Sequence, residues 1–285
     1  MKDYIALTKP RITWLILMST GVGYFFGAQG GAPGWHWLTL LHTIIGTGLI
    51  ASGTAALNQW YERDADSKMR RTQARPLPAG RLDAGRALAF AIAISVAGFA
   101  ELWFGANPLC ALLGLITLLT YLFVYTPLKQ RSPHSTTVGS IPGAMPPLIG
   151  FAAASGTLTW HAWILFAILL LWQFPHFYAI AWMYKEDYAR AGIRMLPVVE
   201  PDGRSTARCI LLYSIALIPI SLMPRFFAMA GNVYLYGALA LGLAFLYYGL
   251  RIRTDRTRQQ ARRVLLASVV YLPALFSLML LDRPA

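Results

Sequence analysis

The sequence predicts an all-α integral membrane protein, and three observations carry that prediction. Of its 285 residues, 56% are hydrophobic and 13% are charged, and the mean hydropathy is +0.50, whereas a soluble domain carries about 25% charged residues. Apolar windows of roughly 17 to 24 residues recur, and each is long enough to cross a hydrocarbon core of about 30 Å. Basic residues gather in alternate connections between these windows, as expected of a polytopic protein.

Nine windows predict nine transmembrane helices in a bundle that forms a single domain over residues 1–285. They lie near 12–28, 37–57, 84–104, 108–126, 137–155, 160–183, 207–228, 232–250 and 264–281. The two longest connections, near 61–83 and 184–206, share a pattern of acids, then arginines, then a proline. This pattern favours a weak pseudo-repeat of four-helix units, which would bring both loops to one face of the bundle.

The net charge of +13 orients the helices. With a cytoplasmic N-terminus, only Arg225 and Arg283 of the 25 basic residues fall on the outer side, and an odd number of helices places the C-terminus outside. The basic loops are short and contain no DNA- or RNA-binding motif, which argues against a nucleic acid partner. We therefore predict a multi-pass protein of the cytoplasmic (inner) membrane, with the lipid bilayer as its surroundings and its long loops inside.

The second span leads into a polar run from Asn58 to Leu77. Asn58, Glu62 and Asp66 stand four residues apart, and no Gly or Pro intervenes before Pro76. If the helix continues, these side chains form one stripe, because residues four apart drift by only about 40°. Magnesium takes oxygen ligands, typically one or two carboxylates completed by water and phosphate oxygens. The stripe therefore predicts a Mg²⁺ site for a metal-bound diphosphate.

Arginines follow the stripe at positions 70, 71 and 75. Their planar donors bind phosphate oxygens in pairs. The alternative interpretation is an ordinary solvated loop, in which the same acids and arginines form ion pairs four residues apart. The position at the mouth of a helical bundle favours the phosphate site.

The fifth and sixth spans carry features of a ligand cavity. Six Gly and Pro residues within 139–150 predict a broken fifth helix, and non-helical backbone is tolerated at membrane depth only against protein or a cavity. His176 lies about two turns into the membrane, where an ionisable residue is a functional candidate; a structural histidine within the bundle is the alternative. Aromatic neighbours such as Tyr178 could form the wall for a large apolar ligand or merely pack.

Six segments of the chain resemble the UbiA-type intramembrane prenyltransferases, in particular the branch that farnesylates heme. They are LTKPRIT at 7–13, the run NxxxExxxDxxMxRTxxRPLPAG from Asn58, YTPLK ending at Lys129, GAMPPLIG at 143–150, LWQFPHF at 171–177 and KEDYARAGIRMLPVV at 185–199. The resemblance implies a Mg²⁺-dependent transferase that joins the farnesyl group of farnesyl diphosphate to a vinyl group of heme b, with addition of water. The product would be heme o for terminal oxidases.

The resemblance also implies roles for individual residues. Asn58, Glu62 and Asp66 fall on the first diphosphate motif, where the family usually has Asp in place of Glu62. Lys185 and Asp187 replace part of a second Asp-rich motif and complete the catalytic set, with Asp187 binding either a metal or an arginine. The expected diphosphate-binding residues are Arg70, Arg71, Arg75, Lys129, Lys185 and Arg194. The expected heme-binding residues are His176, as the first candidate for an axial ligand, and Tyr121, Tyr125 and Tyr178.

Two other functions compete with this interpretation. A related prenyltransferase could use another aromatic acceptor, such as a quinone precursor or chlorophyllide. A transporter would share the broken helix and the pseudo-repeat, but the acids of this chain stand at the cytoplasmic mouth rather than at the midplane. The sequence leaves open whether the protein docks with heme oxidase assembly proteins.

Overall fold

A computed structural model describes residues 1–29 and 36–283, and within these ranges its regular elements are all helices. The first half contains α1 (Lys2–Leu7), α2 (Pro10–Ala28), α3 (Trp37–Tyr61), α4 (Arg63–Ser67), α5 (Ala84–Gly105), α6 (Pro108–Leu119), α7 (Thr126–Arg131), α8 (Ser135–Gly143) and α9 (Pro146–Ser155). The second half contains α10 (Trp160–Met183), α11 (Lys185–Arg190), α12 (Leu196–Val199), α13 (Arg204–Phe226), α14 (Asn232–Thr254) and α15 (Arg258–Leu281). A π-helix at Thr120–Tyr125 joins α6 to α7. The predicted all-α class is confirmed.

Seven helical stretches in the described ranges are long and apolar enough to cross a membrane. They are Trp37–Tyr61, Ala84–Gly105, Pro108–Arg131, Trp160–Met183, Arg204–Phe226, Asn232–Thr254 and Arg258–Leu281, and they coincide with seven of the predicted spans. The other two predicted spans correspond to α2, which has 19 residues, and to the pair α8 and α9, which have 9 and 10. The count of nine therefore stays a prediction.

The fifth predicted span is broken, as its glycines and prolines predict. α8 ends at Gly143 and α9 begins at Pro146, because a proline suits the first turn of a helix but not its interior. The side-chain amide of Gln173 on α10 donates to the carbonyl of Ser140 at 3.1 Å. That bond satisfies backbone near the break, as buried polar groups require.

Helix α2 packs closely on α9 along a surface of small residues. A Cβ atom at Gly23 would overlap the carbonyl of Pro147, and one at Gly150 would overlap that of Thr20. Small residues at a helix interface let backbones approach closely, which is how helices pack in lipid. This contact fixes α2 against the broken span.

The long loops after α3 and after α10 meet on one face of the bundle, as their shared pattern predicts. Their apolar contact is a cluster of buried residues: Ala65, Met69, Ala181, Ala191, Ile193 and Met195. Two larger buried clusters lie in the bundle, one centred on α10 and α13–α15 and the other on α2, α3, α5, α6 and α9. The two loops thus lie side by side at one end of the bundle, where the parts that contain these two clusters meet.

Candidate functional site

The predicted stripe is buried where α3 meets α4. Asn58, Glu62 and Asp66 are only 2%, 7% and 1% exposed. The continuous helix expected from the sequence is interrupted at Glu62, which has φ −88° and ψ 7°. The spacing survives, since the N–H of Glu62 donates to the carbonyl of Asn58 at 2.9 Å and that of Asp66 to Glu62 at 2.8 Å. The three polar residues therefore still follow one another at intervals of one helical turn.

Each member of the stripe meets a different cation. Lys9 Nζ donates to Asn58 Oδ1 at 3.2 Å and Lys129 Nζ to Glu62 Oε1 at 2.8 Å. Arg75 Nη1 donates to Asp66 Oδ2 at 2.6 Å. Burying a charge is costly unless it is paired, so these contacts explain how two carboxylates remain inside the protein.

Lys9 is a site residue that the sequence reasoning did not assign. It stands between α1 and α2 in the left-handed region, at φ 48° and ψ 59°, which is uncommon for a residue other than glycine. Burial, together with the nearby charges of Arg75 and Lys129, lowers the pKa of its ammonium to about 7, and the carboxylates of Glu62 and Asp66 oppose this shift. A basic residue just before a proline at the head of a span was the available signal.

Thr126 is a second residue that the sequence reasoning missed. Its hydroxyl accepts a hydrogen bond from Asn58 Nδ2 at 3.2 Å and donates to the carbonyl of Tyr121 at 2.8 Å. It thereby fixes which end of the Asn58 amide faces Lys9. The amide oxygen is left toward the cations, in the orientation that a metal ligand needs.

The second loop contributes Asp187, which is 8% exposed. Its carboxylate accepts from the backbone N–H of Arg71 at 3.3 Å and pairs with the guanidinium of Arg190. The Arg71 guanidinium lies 4.9 Å from the centroid of the Tyr184 ring and donates to the Tyr188 hydroxyl at 3.3 Å. Asp187 therefore binds an arginine here and links the two loops.

Three of the predicted diphosphate-binding residues lie apart from the stripe. Arg70 and Arg194 are exposed, and the backbone N–H of Arg194 donates to the carbonyl of Lys129 at 2.8 Å. Lys185 Nζ lies 4.1 Å from the centroid of the Trp182 ring and donates to the carbonyl of Pro201 at 3.4 Å. Their assigned roles stay predictions.

The π-helix places two of the predicted tyrosines beside the stripe. The rings of Tyr121 and Tyr125 are 4.8 Å apart, and Lys129 Nζ lies 4.6 Å from the centroid of Tyr125. A Cβ atom at Gly139 would overlap the Tyr125 ring, so this glycine gives the ring its space. π-helical turns are rare and often mark functional sites, and no residue pattern predicted this one.

His176 contacts α15. Its Nδ1 lies 2.8 Å from Ser268 Oγ, and that hydroxyl donates to the carbonyl of Leu265 at 2.6 Å. Because the single hydroxyl proton is already used, the imidazole donates from Nδ1 and leaves Nε2 as an acceptor. Trp172 stacks on the imidazole with centroids 4.7 Å apart.

Tyr178 lies on another side of α10. Its ring centroid is 6.4 Å from that of Phe174, which stacks at 3.8 Å on Tyr213 of α13. The structure therefore does not bring Tyr178 and His176 to a common wall.

The donor set fits magnesium bound together with a diphosphate. Within the described parts of the chain, no three His, Cys, Asp or Glu side chains converge on one point as a complete protein metal site would require. Glu62 and Asp66 offer two carboxylates one turn apart, and Asn58 offers an amide oxygen. Few protein ligands are what Mg²⁺ uses when phosphate oxygens complete its shell.

Comparison with known proteins identifies the family of the chain. The sequence pattern of the UbiA prenyltransferase family matches residues 16–275. The chain belongs to the UbiA prenyltransferase family. This finding confirms the resemblance seen in its sequence motifs. Among its UbiA relatives, a protoheme IX farnesyltransferase of Solibacter usitatus is 67% identical, over 100% of this chain and 99% of the relative. Another, of Koribacter versatilis, is 48% identical, over 99% and 94%.

Solved structures of two other proteins share the fold. A digeranylgeranylglyceryl phosphate synthase superposes with a TM-score of 0.81 at 16% identity, covering 99% of this chain and 97% of that one. A UbiA homolog from Archaeoglobus fulgidus, bound to DMAPP and Mg²⁺, superposes with a TM-score of 0.67 at 18% identity, covering 97% and 99%. At such identities the likeness concerns the fold alone.

Proposed function

We propose that this chain transfers the farnesyl group of farnesyl diphosphate to a vinyl group of heme b, with addition of water, to form heme o for terminal oxidases. The observation that carries the proposal is the 67% identity, across the whole chain, to a relative named protoheme IX farnesyltransferase. We place the diphosphate donor at the polar cluster around Asn58, Glu62 and Asp66, where α3 meets α4.

The diphosphate is bound where Lys9, Lys129 and Arg75 surround Glu62 and Asp66. Three basic side chains face two carboxylates there, and a bound anion favours the charged form of Lys9, so the cluster suits an anion. Glu62 and Asp66, with Asn58, would hold Mg²⁺, which neutralises charge on the leaving diphosphate. The three cations stabilise the negative charge that develops as the allylic C–O bond breaks.

The second loop encloses the donor. Asp187 contacts both Arg71 and Arg190 and so links the two loops. The linked loops exclude water while the farnesyl cation exists. Arg70, Lys185 and Arg194 contribute positive charge at the rim, which raises the local concentration of the anionic donor.

The farnesyl cation forms beside the π-helix. The Tyr125 ring faces Lys129 and the Tyr121 ring packs against it, and an aromatic face stabilises a cation. The vinyl group of heme b attacks the farnesyl carbon, a water molecule adds to the resulting carbocation, and its proton is released. Diphosphate and heme o are the products.

Heme b is held through its iron. We assign His176 as the axial ligand, because its hydrogen bond to Ser268 leaves Nε2 with an unshared electron pair. Such a bond to the other ring nitrogen fixes the orientation of a metal-binding histidine. Tyr178 packs against Phe174 on the α13 side of α10, and it would act on heme binding only through the packing of this helix.

We also infer nine spans, an N-terminus in the cytoplasm and a C-terminus outside the inner membrane. Two observations support a crossing by α2: Lys9 reaches Asn58 near the end of α3, and the Tyr24 hydroxyl donates to the carbonyl of His36 just before α3 begins, at 2.8 Å. α2 thus runs antiparallel to α3 along its length. The pair α8 and α9 has a similar extent, from Ser135 beside Met195 to the carbonyl of Ala152 beside Asn107.

The test is a chemical analysis of heme. Detergent-purified protein is incubated with heme b, farnesyl diphosphate and either Mg²⁺ or EDTA, and the extracted hemes are separated and weighed by mass spectrometry. The expected product is a heme heavier by one farnesyl group plus water, formed with Mg²⁺ and not with EDTA. Unchanged heme from folded protein, with product from a quinone precursor or chlorophyllide instead, would contradict the proposed acceptor.

A further inference from the structure

A groove of about 540 Å³ runs between α14 and α15, and its lining residues are distinct from the proposed catalytic cluster of Asn58, Glu62, Asp66, Lys9, Arg75 and Lys129. Its lining includes the rings of Phe245 and Tyr271, which are buried and have centroids 5.3 Å apart. Leu241, Ala244 and Val270 line it as well. The groove is thus mostly apolar, which suits a hydrocarbon chain.

The groove has a basic end. Arg263 lines it and is exposed, and its side-chain hydrogen bond in the described residues is a weak one to Gln260 Oε1, at 3.4 Å. Arg251 lies one turn beyond Tyr247, on the same side of α14. Within the described residues neither arginine has a carboxylate within 4.0 Å, the distance that defines an ion pair.

Few acidic residues are available to neutralise the arginines at this end of the groove. Asp255 is the one acid in the sequence between residues 203 and 281. Its carboxylate accepts hydrogen bonds from Gln260 Nε2 at 3.3 Å and from the Thr257 hydroxyl at 3.4 Å. Six arginines stand between 251 and 263. The end of the groove therefore carries unbalanced positive charge.

The basic end lies on the same side of the bundle as the catalytic cluster. Trp182 Nε1 donates to the carbonyl of Arg256 at 3.0 Å, and the Arg258 guanidinium lies 5.9 Å from the centroid of Tyr184. From Leu241 to Arg251 the α14 axis rises by about 15 Å, half of a hydrocarbon core. The groove therefore matches one leaflet in length, with its charge at the polar surface.

We propose that this groove binds an anionic phospholipid of the leaflet on the catalytic side. The phosphate accepts hydrogen bonds from Arg251 and Arg263, and an acyl chain lies over Phe245 and Tyr271. An anionic headgroup is favoured because basic pockets between helices bind such lipids, whereas a zwitterionic headgroup would place its ammonium beside two arginines. The proposal is independent of the reaction at the catalytic cluster.

The test measures lipid that the intact protein retains. Detergent-exchanged protein is mixed with phosphatidylglycerol or phosphatidylethanolamine of identical acyl chains and examined by native mass spectrometry. The unaltered chain should retain phosphatidylglycerol preferentially. The double variant R251Q/R263Q should retain at least about tenfold less phosphatidylglycerol. A244F should also lose the bound lipid, although it leaves the charge of the protein unchanged.

The matched control is R253Q/R256Q, which removes the same charge from the same segment but leaves the groove intact, because Arg253 lies on the opposite side of α14. It should retain lipid as the unaltered chain does. An equal loss in this control would overturn the proposal in favour of general attraction. Unchanged lipid retention by A244F would also overturn the proposal. So would the finding that the unaltered chain is a dimer and that A244F dissociates it. If A244F fails to fold, A244L serves the same comparison.

Discussion

Two aspartates of α4 lie two residues apart in opposite surroundings. Asp66 is 1% exposed and pairs with Arg75, whereas the side chain of Asp64 is 88% exposed and lies 4.0 Å from Arg63. If Asp66 helps to hold the metal diphosphate, D66N should lower kcat by about 100-fold or more. D64N, with the same chemical change on the same helix, should keep the original rate.

The measurement is heme o formation at saturating donor, with thermal unfolding in detergent as the check on folding. D66N protein that unfolds as the unaltered chain does and still turns over at the original rate would remove Asp66 from the metal site. D66N protein that does not fold would indicate that the Asp66–Arg75 pair is structural.

Lys9 offers a second comparison. We expect K9M to raise the KM for farnesyl diphosphate about tenfold or more, because a hydrogen bond to a charged group contributes about 1.5–3 kcal/mol. K2M removes an exposed lysine from the same N-terminal segment and should leave KM unchanged. Initial rates over a range of donor concentrations give both values, and an unchanged KM in K9M would exclude Lys9 from donor binding.

The histidine on α10 can be tested without turnover. If His176 Nε2 binds the heme iron, H176A should shift the absorption maximum of bound ferric heme and weaken heme binding about tenfold or more, in line with loss of a metal ligand or its supporting partner. S268A should shift the same band less, because it removes only the partner of Nδ1. H161A, at the other end of α10, should match the unaltered chain. Identical spectra for H176A and the unaltered chain would contradict the assignment.

The sequence predicted part of this cluster. Asn58, Glu62 and Asp66 stand at a four-residue spacing that local helix geometry converts into a stripe. Lys9 and Thr126 stand 49 and 68 residues from Asn58, and their contacts exist only because α2 and α7 pack beside the end of α3. No local spacing carries that information, so these two residues were missed.

At the scale of elements, α2 contains a matched pair of glycines. A Cβ atom at Gly23 would overlap the backbone of α9, whereas one at Gly21 would have no neighbour within 4 Å. We expect G23A to destabilise the protein by about 1–3 kcal/mol or more through overpacking. G21A should be neutral or stabilising by up to about 1 kcal/mol, because alanine favours the helix. Thermal unfolding in detergent measures both, and equal behaviour of the two variants would contradict the close packing of α2 on α9.

Hydropathy predicts helices better than it predicts how they are interrupted. The seven long spans follow from length and apolarity alone, and the glycines and prolines of 139–150 predicted the break between α8 and α9. The interruption at Glu62 and the π-helix at Thr120–Tyr125 were not predicted, because no Gly or Pro marks the first and the one proline near the second, Pro127, lies beyond it. Both arise beside the polar cluster around Asn58, Glu62 and Asp66, so tertiary contacts rather than local preferences decide them.

For the whole molecule, the shared pattern of two loops was the most informative long-range signal. It predicted that the loops would meet, and the link between Arg71 and Asp187 and the cluster around Met69 and Met195 confirm it. The pattern succeeds because both loops follow helices that run in the same direction, so they emerge at the same end of the bundle. It does not specify which cations enter the cluster.

The number of crossings can be measured in the complete chain. Single cysteines are introduced at exposed positions, and intact spheroplasts are treated with a membrane-impermeant maleimide. If α2 crosses, Q29C should be labelled from outside and K2C only after lysis. If the pair α8 and α9 crosses, T157C should be labelled from outside and R131C only after lysis. The native Cys110 and Cys209 are buried and half-buried, and the unaltered chain measures their background.

Seven crossings and nine crossings both place the C-terminus outside when the N-terminus is inside, so the end of the chain cannot distinguish them. The paired positions can, because each pair brackets one of the two elements in question. Labelling of K2C and Q29C from the same side would mean that α2 does not cross, and Lys9 would then lie away from the face that holds Asn58. That result would contradict the contact between Lys9 and Asn58 as well as the topology, because one geometry supports both.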